Sequence, residues 1–172
     1  PRFGTNPIAI GLPSNSAPVV LDFGTSAKSF FHIVQQATDN ASIADDIGFD
    51  KNGNVTTDPK AILDDGAMRS FDRGPAGAGL ALIVESLAGG LIGAGIDVAE
   101  RAGGVDTHGQ FHSQWGNLII CLKPSSLSKS DQDYFNSVEH LKSRVHSSRP
   151  LPPASRVYVP GERGDRAAQQ AK

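Results

Sequence analysis

Residues 71–90, FDRGPAGAGLALIVESLAGG, place a proline and glycines directly ahead of an apolar run and close that run with Ala88, Gly89 and Gly90. From Leu80 to Ile92 the run is apolar nearly all round, with Glu85 its single charge, which predicts a buried central helix. The small residues around it have two physical uses. They let another backbone pack closely, or they leave free N–H groups at the positive end of a helix dipole, where an anion can sit. The familiar nucleotide loops do not fit. Gly77 and Gly79 are followed by Leu82 where a third glycine is needed, the preceding DDGAMRSFDR is no buried strand, and Asp97 stands at the nominal acidic spacing with no apolar strand leading to it. No Gly-Lys-Ser/Thr closes a phosphate loop either.

Around this stretch the patterning is mixed. PIAIGLP and PVVLDF, separated by SNSA, predict adjacent strands. Thr25 or Ser26 then caps a helix whose apolar face is Phe30, Ile33, Val34 and Ala37, with His32 beside it as a surface or boundary histidine. Thr57 or Asp58 ahead of Pro59 marks a second helix start. NLIICLKP is apolar without alternation and predicts a central strand stopped by Pro124. In SDQDYFNSVEHLKSRVHSS, Ser130 caps, Asp131 and Asp133 suit the positive end, and Phe135, Val138, Leu141 and Val145 form the apolar stripe. RPLPPASRVYVPGERG predicts a proline-stiffened connection, a short strand and a turn, and DRAAQQAK a frayed end. Together these predict an α+β fold. It has a mixed, mainly antiparallel sheet with a buried central helix and flanking helices, and is not a Rossmann fold.

A chain of 172 residues with 38% hydrophobic content can bury roughly 70% of its unfolded surface in one domain. Its net charge of -2, with both signs scattered, argues against nucleic acid or an anionic membrane surface as a partner. Cys121, inside NLIICLK, is expected to pack as a small hydrophobe. No run reaches the ~20 apolar residues that cross a bilayer and no leader pattern opens the chain, so a cytoplasmic protein is expected. The sequence begins PRFGTNP without Met, which suggests the later part of a longer polypeptide or a processed chain. Asp50, Asn52 and Asn54 alternate as in chelating loops but lack the closing acidic ligand, so no calcium site is expected. His108 and His112, four apart among glycines, make only a weak zinc pair, and the metal-dependent hydrolase it would imply ranks below the readings that follow.

Five blocks in order, FGTNPIAIGLP, PVVLDFGTSA, DKNGNVTTDPKAILDDGAM, GLALIVESLAGGLIGAG and VYVPGER, resemble the malate/L-lactate dehydrogenase family that lacks a Rossmann fold. That family also holds ureidoglycolate and sulfolactate dehydrogenases and cyclic imino-acid reductases. The resemblance implies NAD or NADP as cofactor, a 2-oxo acid or cyclic imino acid as substrate, and a homodimer. It also implies a nucleotide-binding domain over 1–148, a C-terminal strand and turn over 149–165 and a disordered tail over 166–172. Carried over residue by residue, Thr5, Asp22, Phe23, Gly24, Thr25, Ser26, Gly77, Gly161, Glu162 and Arg163 line the cofactor. Asp22 accepts from ribose hydroxyls, Gly24 permits close approach, Thr25 and Ser26 offer hydroxyls, and Arg163 meets a phosphate. Without the resemblance, Asp22 reads equally well as a strand-end cap and Arg163 as an exposed tail arginine.

Two departures matter. Where relatives read Phe-Gly-Gly-x-Lys-Gly-x-Gly-Leu, this chain reads FDRGPAGAGL, so one residue is inserted, Ala76 stands at the lysine position, and nucleotide affinity then depends on Arg73 reaching the same space from the inserted turn. The resemblance also places the catalytic histidine and the groups that hold the substrate carboxylate in a preceding segment, so no residue here is assigned as proton donor or carboxylate clamp. The alternative is a truncated, catalytically inactive relative that acts as an interaction protein or persists as a gene remnant.

Overall fold

A computed structural model describes residues 3–93 and 116–171. The elements are β1 (Pro7–Leu12), β2 (Val19–Gly24), α1 (Phe30–Thr38), β3 (Gly48–Phe49), α2 (Pro59–Leu63), β4 (Ala67–Met68), α3 (Pro75–Glu85), α4 (Asp131–His146) and α5 (Glu162–Gln170). A π-helical turn continues α3 over Ser86–Gly90, and a 3-10 turn covers Pro124–Ser126. β1 pairs with β2, and β3 pairs antiparallel with β4 in the register Gly48↔Met68 and Phe49↔Ala67. The chain divides into two compact units. Unit one is Pro1–Ile8 with Phe23–Ile119, and unit two is Ala9–Asp22 with Ile120–Lys172, so the chain passes between them within β1 and β2.

Unit one is built on four isoleucines. Ile33 of α1, Ile43 and Ile47 of the following loop, and Ile62 of α2 are buried together, with Met68 of β4 packed against them. α1 begins one turn later than the sequence predicts. Its cap is Ser29, whose hydroxyl accepts from the His32 amide, because Thr25 and Ser26 spend their hydroxyls on Asn6 O and Lys28 O. Asp58 caps α2 by accepting from the Lys60 amide at 2.9 Å, with Pro59 at the first position, as that proline predicts. Asp50 closes its loop by accepting from the amides of Asn52 at 2.8 Å and Asn54 at 2.9 Å. That is a side-chain-stabilised turn.

Unit two centres on α4. Ser130 caps it, accepting from the Asp133 amide at 3.0 Å. Its buried residues are Val138 and Lys142, not the full apolar stripe, and Leu141 stays 63% exposed. Lys142 Nζ is held by Ser16 Oγ at 2.6 Å, Ala17 O at 2.8 Å, Glu139 Oε1 at 3.1 Å and Ser14 Oγ at 3.2 Å. A lysine so enclosed costs little to bury, because its ammonium donors find acceptors. At the other end of α4, His146 Nε2 lies 2.8 Å from Glu162 Oε1. Residues 162–170 form helix α5 where a frayed end is expected, and no strand forms at Val157–Val159.

Three further expectations are corrected. α3 starts at Pro75, not Leu80, because Pro75 is preset for the first helical position. It is not a buried helix: Gly77, Ala81, Glu85 and Gly89, four apart, form the covered face, while Leu82 and Ile83 are 55% and 56% exposed. Finally, Leu118–Leu122 is no strand among the described residues, since nothing pairs with it. Ile119 is 82% exposed and Cys121 is exposed as well. Asp97, His108 and His112 lie outside the described residues.

Candidate functional site

The turn that leaves β2 and the bend that leads into α3 meet in unit one. The Phe71 amide donates to Thr25 O at 2.9 Å, Ser26 and Ser70 form an antiparallel bridge, and the Phe23 and Phe71 rings meet edge-on at 5.2 Å. This places Phe23, Gly24, Thr25, Ser26 and Gly77 in one neighbourhood. Thr5 joins them: its Oγ1 accepts from the Phe30 amide at 2.8 Å, and its backbone O accepts from the Thr25 amide at 3.1 Å.

Several of these residues already have work within the fold. Thr25 is 1% exposed and its hydroxyl donates to Asn6 O at 2.7 Å. Gly24 gives room to Thr5, since a Cβ there would stand 2.9 Å from Thr5 Cγ2. Asp22, by contrast, is exposed, and Ser26 is half-buried. Asn6 Nδ2 donates to Ala81 O at 2.7 Å and so ties the N-terminal segment to α3. The sequence reading missed this contact, because nothing local marks a bond across 75 residues.

The amino end of α3 is closed to an external anion. Asp72 Oδ1 accepts from the Gly74 amide at 2.9 Å and from Ser70 Oγ at 2.8 Å, and its Oδ2 accepts from the Gly77 amide at 2.9 Å. The Gly74 amide, then the Ser70 hydroxyl and the Gly77 amide, hold the Asp72 carboxyl below the usual carboxylate range. The chain's own carboxylate thus takes the place that free N–H groups would offer a phosphate. Asp two residues ahead of the N-cap glycine was the signal available in the sequence. Nor is Arg73 free: its Nε and Nη2 bind Asp46 Oδ2 at 2.9 and 2.7 Å, and its Nη1 donates to Phe71 O. Ala76 is exposed.

The remaining candidates belong to unit two. Gly161 has φ +96, which suits glycine, and a Cβ there would lie 3.2 Å from Val20 O. Pro160 O accepts from the Val20 amide at 3.2 Å. Glu162 engages both carboxylate oxygens, Oε1 with His146 and Oε2 with the Val159 amide at 3.0 Å. Burial pushes the Glu162 carboxyl up, but the His146 and Val159 hydrogen bonds, with the charges of His146 and Arg156, outweigh it and leave it lowered. Arg163 lies over the Tyr158 ring. No group of three or more His, Cys, Asp or Glu suited to a metal occurs among the described residues, and no helix among them is long and apolar enough to cross a membrane.

Comparisons with known proteins agree along the whole chain. Residues 1–172 match the malate/L-lactate dehydrogenase family. The malate/(S)-sulfolactate dehydrogenase of Methanothermus fervidus is 33% identical over 163 residues, covering 95% of this chain and 45% of that protein. The Δ1-pyrroline-2-carboxylate reductase of Agrobacterium fabrum is 36% identical over 163 residues, covering 92% and 46%. A dehydrogenase structure from Sinorhizobium meliloti superposes with a TM-score of 0.75 at 32% identity, over 99% of this chain and 47% of the other. The chain therefore spans about half the length of the relatives it matches. On this evidence the chain belongs to the malate/L-lactate dehydrogenase family.

Proposed function

We propose that this chain supplies cofactor-holding parts of an NAD(P)-dependent oxidoreductase that reduces a 2-oxo acid or a cyclic imino acid by hydride transfer, with the cofactor held outside a Rossmann fold. The observation that carries the reading is the meeting of the Phe23–Ser26 turn with the Ser70–Gly77 bend through the Phe71 amide and Thr25 O, 2.9 Å apart. The first lies in the block PVVLDFGTSA and the second carries Gly77, both assigned to the cofactor by the resemblance. It is supported by the names of the matched relatives, which are malate and sulfolactate dehydrogenases and pyrroline-2-carboxylate reductases.

The donor set divides by role. Asp22, exposed in β2, suits ribose hydroxyls, and Ser26 adds a half-buried hydroxyl. Phe23 and Gly24 shape the wall of the turn, while the Thr5 carbonyl, which accepts from the Thr25 amide, and the Thr25 hydroxyl fix its backbone. Gly77 belongs to the Asp72 cap, Gly161 and Glu162 fix the PGER turn, and Arg163 is the cation of that segment suited to a phosphate. The bound nicotinamide would supply the hydride. Reduction also needs a proton donor at the developing alkoxide or amine and a cation for the substrate carboxylate, and neither role is assigned to a residue of this chain. A homodimer belongs to the same proposal.

Titrating the purified chain with NADH and NADPH, read by nicotinamide fluorescence, tests the reading. Saturable binding below about 1 mM, weakened in Asp22→Ala, is expected. A chain that is folded by circular dichroism yet binds neither nucleotide at millimolar concentration overturns it and favours the inactive relative.

A further inference from the structure

Among the asparagines of this sequence only Asn52, in DKNGN, is followed by a glycine; each of the others precedes a residue that carries a side chain. The pair stands at the tip of a turn in unit one with nothing packed on it. Asn52 and Gly53 are exposed, Gly53 has φ +82, and beyond its chain neighbours no heavy atom lies within 4 Å of the place its Cβ would take. Other asparagine side chains are fastened to distant parts of the chain. Asn6 Nδ2 donates to Ala81 O, Asn15 pairs with Asn136, and Asn40 Oδ1 accepts from Lys60. Asn52 is held only locally, by hydrogen bonds from its amide and its side chain to the Asp50 carboxylate.

One residue keeps this turn shut. Asp50 Oδ1 accepts from the Asn52 and Asn54 amides at 2.8 and 2.9 Å, Asp50 O accepts from the Gly53 amide at 3.0 Å, and the Asp50 amide donates to Asn54 O at 2.9 Å. All of these bonds lie at the surface, where water can replace them, so the turn opens at far lower cost than the isoleucine core of the same unit. Once it opens, the Gly53 nitrogen is released from Asp50 O. It then has no Cβ beside it to obstruct an approach to a neighbouring carbon. The carbon within reach is Asn52 Cγ, because the two atoms close a small, unstrained ring.

We propose that Asn52–Gly53 is a site of spontaneous covalent modification, at which Asn52 becomes an aspartyl or isoaspartyl residue at a rate set by the opening of the Asp50 turn. Hydroxide removes the Gly53 amide proton, the nitrogen bonds to Asn52 Cγ, and the Cγ–Nδ2 bond breaks as Nδ2 takes a proton from water and leaves as ammonia. Water then opens the cyclic imide. Cleavage at Cγ gives aspartate, whereas cleavage at the Asn52 main-chain carbonyl gives the isoaspartyl link, which adds a carbon to the backbone. In sum water is consumed and ammonia released, and nothing is oxidised or reduced. Either product sets a second carboxylate beside Asp50, while Lys51, the cation of the turn, is already paired with Asp64 at 3.6 Å. The lengthened backbone also draws the Asn52 and Asn54 amides away from Asp50 Oδ1. The disturbance then falls on the Phe49↔Val55 bridge and on β3, whose two residues pair with β4. This inference is independent of the oxidoreductase reading.

Incubating the purified chain at mildly alkaline pH and mapping its peptides by mass spectrometry tests the proposal. Expected is ammonia release matched by a new acidic species, with the change of mass confined to the peptide that holds Asn52 and a rate that rises with hydroxide. Asn52→Gln is expected to abolish it. Asp50→Ala, which removes the acceptor of the Asn52 and Asn54 amides, is expected to speed conversion about ten-fold, toward the rate of the excised peptide. Sub-denaturing urea, which opens the turn while circular dichroism shows the chain folded, is expected to accelerate it without any substitution. In the modified chain, amide exchange is expected to quicken across β3 while α1 keeps its protection. The proposal is overturned if Asn52 of the folded chain stays unmodified over the time in which the excised peptide is fully converted. It is overturned equally if another asparagine converts first, or if neither Asp50→Ala nor urea changes the rate.

Discussion

The two units of this chain hold themselves together by different physics. Unit one buries Ile33, Ile43, Ile47 and Ile62 against one another, with hydrogen bonds at its edges. Unit two buries Val138 and Val159 but relies on polar fastenings, Lys142 on the Ser14–Ala17 loop and His146 on Glu162. Apolar contact is non-directional and tolerates some adjustment of shape. A fastening made of charged hydrogen bonds fixes geometry, and when half of it is removed the other half loses its partner. Unit two therefore holds the PGER turn in one geometry by directed bonds, while unit one holds the Phe23–Ser26 turn against a cohesive apolar body.

The contrast can be broken most directly at Ile62, which is fully buried. Ile62→Ala is expected to destabilise the chain by about 3 kcal/mol, measured by denaturant unfolding, with amide-exchange protection lost across α1, α2 and β3–β4. Equal loss at α4 would show that the two units do not differ in this way. Next in size is Lys142→Ala, expected to cost about 1–2 kcal/mol and to speed exchange at Ser14–Ala17 and along α4 while leaving α1 unchanged. No change in either unit would make the lysine a bystander.

Acid gives the smallest effect and the sharpest distinction. Because the Glu162 carboxyl titrates lower in the folded chain than its ordinary 4.5, it adds stability that is fully present above that value. That stability is lost as pH falls through the lowered folded value. Asp131 and Glu139 in unit two, and Asp50 and Asp72 in unit one, are lowered in the same direction. Comparing acid unfolding of the unaltered chain with Glu162→Gln isolates the Glu162 share. The variant is expected to show a shallower acid slope for exchange at Val159 and along α5, and an unchanged slope would mean that the clasp with His146 contributes nothing.

Local rules served well where the chain's neighbours along the sequence decide the outcome. Pro59 after Asp58, Ser130 ahead of two aspartates, and the β-branched runs of β1 and β2 all form what their residue types predict. They failed where the outcome depends on what lies across space. The apolar run after Gly79 predicts burial all round, yet the described structure covers only its small-residue face. NLIICLK has the composition of a central strand, but a strand needs a partner for its hydrogen bonds and none of the described residues provides one. The site shows the same division. That Phe23–Ser26 lies in a block shared with the family is legible in the sequence, but that Asp72 fills the amino end of α3 is a matter of side-chain reach.

By itself the sequence determined the family, the caps of α2 and α4 and the strands β1 and β2, because each depends on residue identity and near-neighbour spacing. Only the tertiary structure decided how the charges group. Arg156, Arg163 and Arg166 look scattered in a chain of net charge -2, and they become a cluster because the PGER turn and α5 fold them around one ring. Electrostatic interaction depends on separation in space, and separation along the chain fixes that only within a turn or two of helix.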